Sequence, residues 1–212
     1  NIAYRLTRQG CKIKVLIFSF EMSKEEITEW IVAGAMRYPA SQFWRMPREE
    51  PAIREKFRQW TGWAASLPIE IVDASTTPPA EMRLYIEELQ RSGYEVIWFV
   101  DHIQRAATGD PKLDASDKEY ARVSLLAQQY KNLAKDTNTP GIVLSQLNRN
   151  HAHRNDSRPT ASDIRGSGRI REEADVVLAL WRDTSDDADD FTRMTTEVIP
   201  LKNRQGDPQQ KV

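Results

Sequence analysis

IWFVDHIQ, residues 97–104, sets an aspartate directly behind a run of four apolar residues, and the reading of this stretch decides the fold. A continuous apolar run, as opposed to an alternating one, is what a strand shows when both of its faces are covered, as in a parallel sheet between layers of helices. Counting VIWFV (96–100), the chain has five such runs, the others being VLIFSF (15–20), IEIV (69–72), GIVLS (141–145) and VVLALW (176–181). Helical patterns separate them, over 23–38, 48–63, 80–91 and 118–137. The first opens on Ser23 with Glu26 three residues on, the signature of a capping box. In the last, Val123, Leu126, Ala127, Tyr130, Leu133 and Ala134 recur at helical spacing and mark one buried face. This alternation predicts an α/β fold, a mostly parallel twisted sheet with helices on both faces, ending in an antiparallel hairpin.

Strands of a parallel sheet all point one way, so the residues that follow them collect along the carboxyl edge, where such folds bind ligands. VLIFSF is followed by Glu21, VIWFV by Asp101 and GIVLS by Gln146. Each alone reads as a helix cap, a solvated acid or a loop amide. Together they are what nucleotide hydrolysis needs: a carboxylate to hold Mg²⁺ through water, a second to orient the attacking water, and an amide to report on the γ-phosphate. The apolar run then anchors the charge of Asp101 rigidly.

Composition narrows the alternatives. The 212 residues (24.4 kDa) suffice for one α/β domain, and no Gly/Ser- or Pro-rich linker divides them. Charged residues make up 29% and cancel to a net of -1, so attraction to nucleic acid has to come from local clustering. Such a cluster exists: Arg149, Arg154, Arg158, Arg165, Arg169 and Arg171 face only Asp156 and Asp163 before Glu172. This is the footprint of phosphate contact, and Gly166 and Gly168 permit close backbone approach. His151 and His153 lack companions for a zinc site. A single Cys11, no signal-peptide pattern and no membrane-length apolar run point to a soluble cytoplasmic protein with no membrane partner.

VLIFSFEMS, IWFVDHIQ, LSQLNR and RPTASDIRGSGRIREEADVVLALWRD resemble, in order and spacing, the RecA-like motor domain of DnaB-type replicative hexameric DNA helicases. The resemblance spans the whole chain and is strongest over 141–183. It implies a RecA-like fold and ATP-dependent translocation on single-stranded DNA, with ATP and Mg²⁺ as cofactors and hydrolysis at subunit interfaces of a hexameric ring. A primase and a helicase loader are the further partners it implies, in a bacterial or phage setting. Glu21 matches the water-activating glutamate, Asp101 the Walker B aspartate on Mg²⁺, and Gln146 the γ-phosphate sensor. Lys202 and Arg204 match the pair inserted into the neighbouring subunit's ATP site, here expected on a turn just after an apolar strand. Arg165, Gly166 and Gly168 fall on DNA-gripping positions, although many family members carry Glu where Gly166 stands. The phosphate-binding G-x-x-x-x-G-K-[ST] is absent, and the opening NIAYRLTRQG resembles the helix that follows it. The expectation is a single motor domain over 1–212, truncated before or within that helix. Two rivals remain: another RecA-like ATPase of recombinase or clock type, and a non-catalytic DNA-binding or assembly module.

Overall fold

A computed structural model describes residues 12–36, 50–148, 157–166, 168–183 and 195–206. Cys11, Arg149, Arg154, His151, His153 and the opening ten residues lie outside the described residues. In chain order the elements are β1 (Ile13–Ser19), α1 (Lys24–Ala35), α2 (Pro51–Ala65), β2 (Ile69–Asp73), α3 (Pro79–Arg91), β3 (Glu95–Asp101), α4 (Pro111–Asp114), α5 (Glu119–Thr137), β4 (Gly141–Val143), α6 (Gly168–Glu173), β5 (Val176–Trp181) and β6 (Glu197–Asn203). Short 3-10 turns occupy Ile103–Arg105 and Ala161–Asp163.

Four of the five apolar runs form one parallel sheet in the order β2-β1-β3-β4. Its register aligns the carboxyl ends: Ser19 lies opposite both Asp73 and Asp101, and Val100 opposite Val143. Leu16, Phe18, Trp98 and Val100, on one face of the central strands, are essentially inaccessible to water, while Ile17, Ile97 and Phe99 on the other face are only partly buried. β4 ends at Val143, two residues sooner than GIVLS suggests, because the following chain turns to pair elsewhere, with Asn148 N–H donating to the Asp163 backbone carbonyl (2.7 Å) and Leu147 bridging Ile164.

The fifth run forms the antiparallel hairpin that the sequence predicts at the end of the fold. VVLALW becomes β5 and pairs antiparallel with β6 in a separate two-stranded sheet. An apolar run encodes coverage but not direction, and direction here comes from the extended segment that returns beside it. Val176, Leu178 and Leu180 stay exposed on one face of β5 while Ala179 is buried on the other.

Two helices supply most of the cover described for the sheet. Met82 and Ile86 of α3 and Val123, Leu126, Tyr130 and Leu133 of α5 join Leu16, Phe18, Val96, Trp98 and Val100 in one core. Full burial of such a side chain contributes roughly 1.5–3 kcal/mol. Pro51 and Pro79 open α2 and α3 at the position where a missing N–H costs nothing. The capping box at α1 forms as the sequence predicts: Glu26 N–H donates to the Ser23 hydroxyl (3.2 Å) and Ser23 N–H to the Glu26 carboxylate (2.9 Å).

Around Trp98 the packing is exacting. Its indole N–H donates to Thr139 Oγ1 (2.9 Å), and its ring lies 5.8 Å from that of Tyr130. The backbone of Gly141 passes so close that a Cβ there would sit 2.1 Å from the indole. The Tyr130 hydroxyl is buried without a hydrogen-bond partner among the described residues, and that burial pushes its pKa far above the usual phenol value.

Candidate functional site

The carboxyl edge brings Glu21 and Asp101 together around a histidine. Phe20 N–H donates to the Asp101 carbonyl (2.9 Å), which holds the chain leaving β1 against the end of β3. Buried Ser19 then shapes the turn: its hydroxyl donates to the Met22 carbonyl (2.6 Å) and accepts from Met22 N–H (3.1 Å). Glu21 is thereby placed with Oε2 3.2 Å from His102 Nδ1, while Asp101 Oδ1 lies 3.8 Å from the same nitrogen. The imidazole is only 8% exposed, whereas the Glu21 and Asp101 side chains keep 51% and 35% of their surface open. Two solvent-facing carboxylates therefore share one buried ring.

Gln146 sits one strand over and is held from two sides. Arg165 N–H donates to its backbone carbonyl (2.9 Å), and Arg165 Nη1 donates to its side-chain oxygen (3.2 Å). The same guanidinium makes a bidentate pair with Glu119, from Nε (3.0 Å) and Nη2 (2.9 Å). A bidentate, charge-assisted pair fixes orientation as well as distance. Gly166 follows at φ +104°, a left-handed conformation, and a Cβ there would meet Val123 at 3.2 Å. Glycine at this position thus answers a backbone and a packing demand together.

The remaining predicted residues have partners within the chain. Lys202 lies inside β6 opposite Val177, rather than on a turn, and its Nζ donates to the carbonyls of Arg171 (2.6 Å) and Glu172 (3.1 Å) near the end of α6. The strand runs on through Lys202 because that residue still has a ladder partner, and the turn begins at Arg204. Arg204 Nη1 reaches Asp175 (3.4 Å), which Lys131 also contacts. The Lys131 hydrogen bond first, and Arg204 after it, hold the Asp175 carboxyl below its usual range. Arg158 pairs with Glu197 (3.0 Å) and stacks over Trp181, which is partly exposed and not the core residue its apolar setting suggests. Gly168 opens α6.

Sequence reasoning missed His102, Gln104, Glu119 and Arg122. The first two stand in the opening stretch, where attention goes to the aspartate. Glu119 heads a strongly periodic helix, and only the folded chain shows that its carboxylate meets Arg165.

The donor set suits a hard cation held sparingly. Among the described residues no group of three or more His, Cys, Asp or Glu side chains is placed to hold a metal. Mg²⁺ commonly takes one or two carboxylates and completes its shell with water and phosphate oxygens, which the Asp101 edge can accommodate.

Known proteins resemble this chain over nearly all of its length. The chain is similar to the replicative DNA helicase DnaB of Mycobacterium intracellulare, 30% identical over 202 residues, covering 93% of this chain and 34% of that protein. A probable replicative DNA helicase of Trieres chinensis is 30% identical over 213 residues, covering 97% and 45%. The chain thus spans less than half the length of these relatives. Two solved structures superpose with TM-scores of 0.83 at 26% identity, each over 97% of this chain: an isolated ATPase domain, of which 71% is covered, and a DnaB-like replicative helicase studied with primase, of which 49% is covered. With the DnaB-like helicase C-terminal domain model matching residues 1–211, the chain belongs to that family, with a RecA-like fold homologous to the motor domains of replicative helicases.

Proposed function

We propose that this domain is the ATP-hydrolysing motor of a replicative DNA helicase, working at subunit interfaces of a homo-oligomeric, hexameric ring and translocating on single-stranded DNA. The observation that carries the reading is the convergence of Glu21, Asp101 and Gln146 on one sheet edge, with Gln146 tied directly to Arg165. Bound at that edge through Asp101, Mg²⁺ would supply charge neutralisation for the phosphates. Glu21, half-exposed and steadied beside His102, orients water and takes up its proton. Because Arg165 occupies the side-chain oxygen of Gln146, the NH₂ is the end left to donate to a γ-phosphate oxygen. Movement of that amide is then felt by Arg165, whose guanidinium suits DNA phosphate. Arg204, with Lys202 beside it, supplies cationic charge to the neighbouring subunit's nucleotide. A primase is a candidate partner, as it is for the solved DnaB-like relative.

The test is steady-state ATP hydrolysis by the complete gene product, with and without single-stranded DNA. Glu21→Gln should retain nucleotide binding and lose turnover, while Asp101→Asn should weaken Mg²⁺-dependent binding. Hydrolysis at the parental rate by Glu21→Gln removes it from the mechanism.

A further inference from the structure

Gln104 lies on the 3-10 turn that follows β3, is 6% exposed, and uses both ends of its side-chain amide. Its Nε2 donates to the Arg165 carbonyl (2.8 Å) and to Ser145 Oγ (2.9 Å), and its Oε1 accepts from Gln146 N–H (3.3 Å). Since Arg165 N–H donates to the Gln146 carbonyl (2.9 Å), the three residues close a ring of hydrogen bonds: Gln104 to Gln146, Gln146 to Arg165, Arg165 back to Gln104. The turn itself is pinned by Arg122, whose Nη2 donates to the Gln104 carbonyl (2.8 Å).

We infer that Gln104 is a positioning residue that links the backbone of Gln146 to the backbone of Arg165, so that phosphate sensing and DNA contact move as one unit. This rests on the function proposed above. Within the ring, Gln146 cannot shift along the strand edge without either carrying Arg165 with it or breaking a hydrogen bond of the buried Gln104 amide, and an unpaired buried group is costly. The position demands a side chain that donates and accepts from one planar group. A carboxylate offers no donor to the Arg165 carbonyl, and an aliphatic chain offers neither function. Asp101 begins the same short segment three residues earlier, so the metal-binding end of β3 and the ring share one rigid support.

The test measures linkage rather than rate. In the complete gene product, the affinity for a fluorescent dT oligonucleotide is determined by anisotropy with and without a non-hydrolysable ATP analogue, and the ratio of the two Kd values is the coupling factor. Gln104→Met removes both functions at similar volume, and Gln104→Glu keeps the shape and the acceptor while removing the donor. Both should bring the coupling factor several-fold closer to one, with affinity for the analogue alone near parental, because the Gln104 amide is turned to Ser145, Gln146 and Arg165. A merely structural role would instead lower both affinities and the melting temperature together. A parental protein that shows coupling, with both Gln104 variants retaining it, overturns the inference and leaves the proposed function standing. A parental protein whose DNA affinity ignores nucleotide overturns the proposed coupling site and the inference with it. If Gln104→Met fails to fold, the isosteric Gln104→Glu decides.

Discussion

Removing the charge of Glu119 should raise the affinity for single-stranded DNA. Glu119 holds the Arg165 guanidinium in a bidentate pair, so a DNA phosphate that recruits Arg165 has to displace a carboxylate. The Arg165 and Glu119 side chains are 46% and 33% exposed, which places the pair with partly screened surface ion pairs, worth about 0.2–1 kcal/mol. Its bidentate geometry puts it at the upper end. Glu119→Gln keeps the shape and one acceptor but loses the charge, so each engaged loop should gain up to about 1 kcal/mol, or about fivefold in affinity. Glu119 is also the first residue of α5, where a negative charge favours the helix, so the same change should lower stability by about 0.3–1 kcal/mol. The two effects have opposite sign, which separates this mechanism from general loosening. The assay is anisotropy titration with homopolymeric oligonucleotides across a salt series, beside urea melts of the same preparations. Unchanged or weaker DNA binding by Glu119→Gln, with the protein folded, refutes the competition.

Arg204→Ala subunits should bind nucleotide yet depress ATPase activity more than in proportion when mixed with parental subunits, because each interface would lack its neighbour's cation; strictly proportional loss argues against a role in trans. Tyr130→Phe removes a buried hydroxyl that has no partner among the described residues and should stabilise the domain by about 1 kcal/mol in urea melts. Because burial raises the Tyr130 pKa, stability from this group is full below the unfolded phenol's value near 10 and falls as pH rises beyond it, so Tyr130→Phe should flatten the alkaline decline. Gly141→Ala forces a methyl against Trp98 and should cost roughly 1–3 kcal/mol or more, with a change in tryptophan fluorescence; a neutral outcome would show that the indole has room to move.

The elements that could be read from the sequence are those whose signal is local. Ser23 and Glu26 are three residues apart and cap a helix through contacts within one turn. The buried stripe from Val123 to Leu133 is a periodicity, and Asp101 follows its apolar run directly. What escaped depends on separate segments meeting. Gln104 has partners at Ser145, Gln146 and Arg165, and only the folded edge of the sheet supplies them. Glu119 and Arg165 are likewise distant in sequence, and either alone reads as a solvated charge. The closing antiparallel hairpin is as the sequence predicts, but the exposure of Val176, Leu178 and Leu180 along one face of β5 is not what a continuous apolar run suggests. Lys202 reads as a turn residue because strand boundaries follow ladder pairing, which its own residue type does not disclose.

The unit running from β3 through α5 to the chain just beyond β4 carries Asp101, His102, Gln104, Glu119, Arg122 and Gln146 as one continuous segment. Glu21 and Arg165 enter from outside it, each attached at a backbone seam: Phe20 N–H to the Asp101 carbonyl, and Arg165 N–H to the Gln146 carbonyl. The segment is therefore a cassette. Transplanted whole into a related domain, it would bring its internal network along and would need to match its host along the β1–β3 ladder, at those two seams and across the Trp98 face of the core.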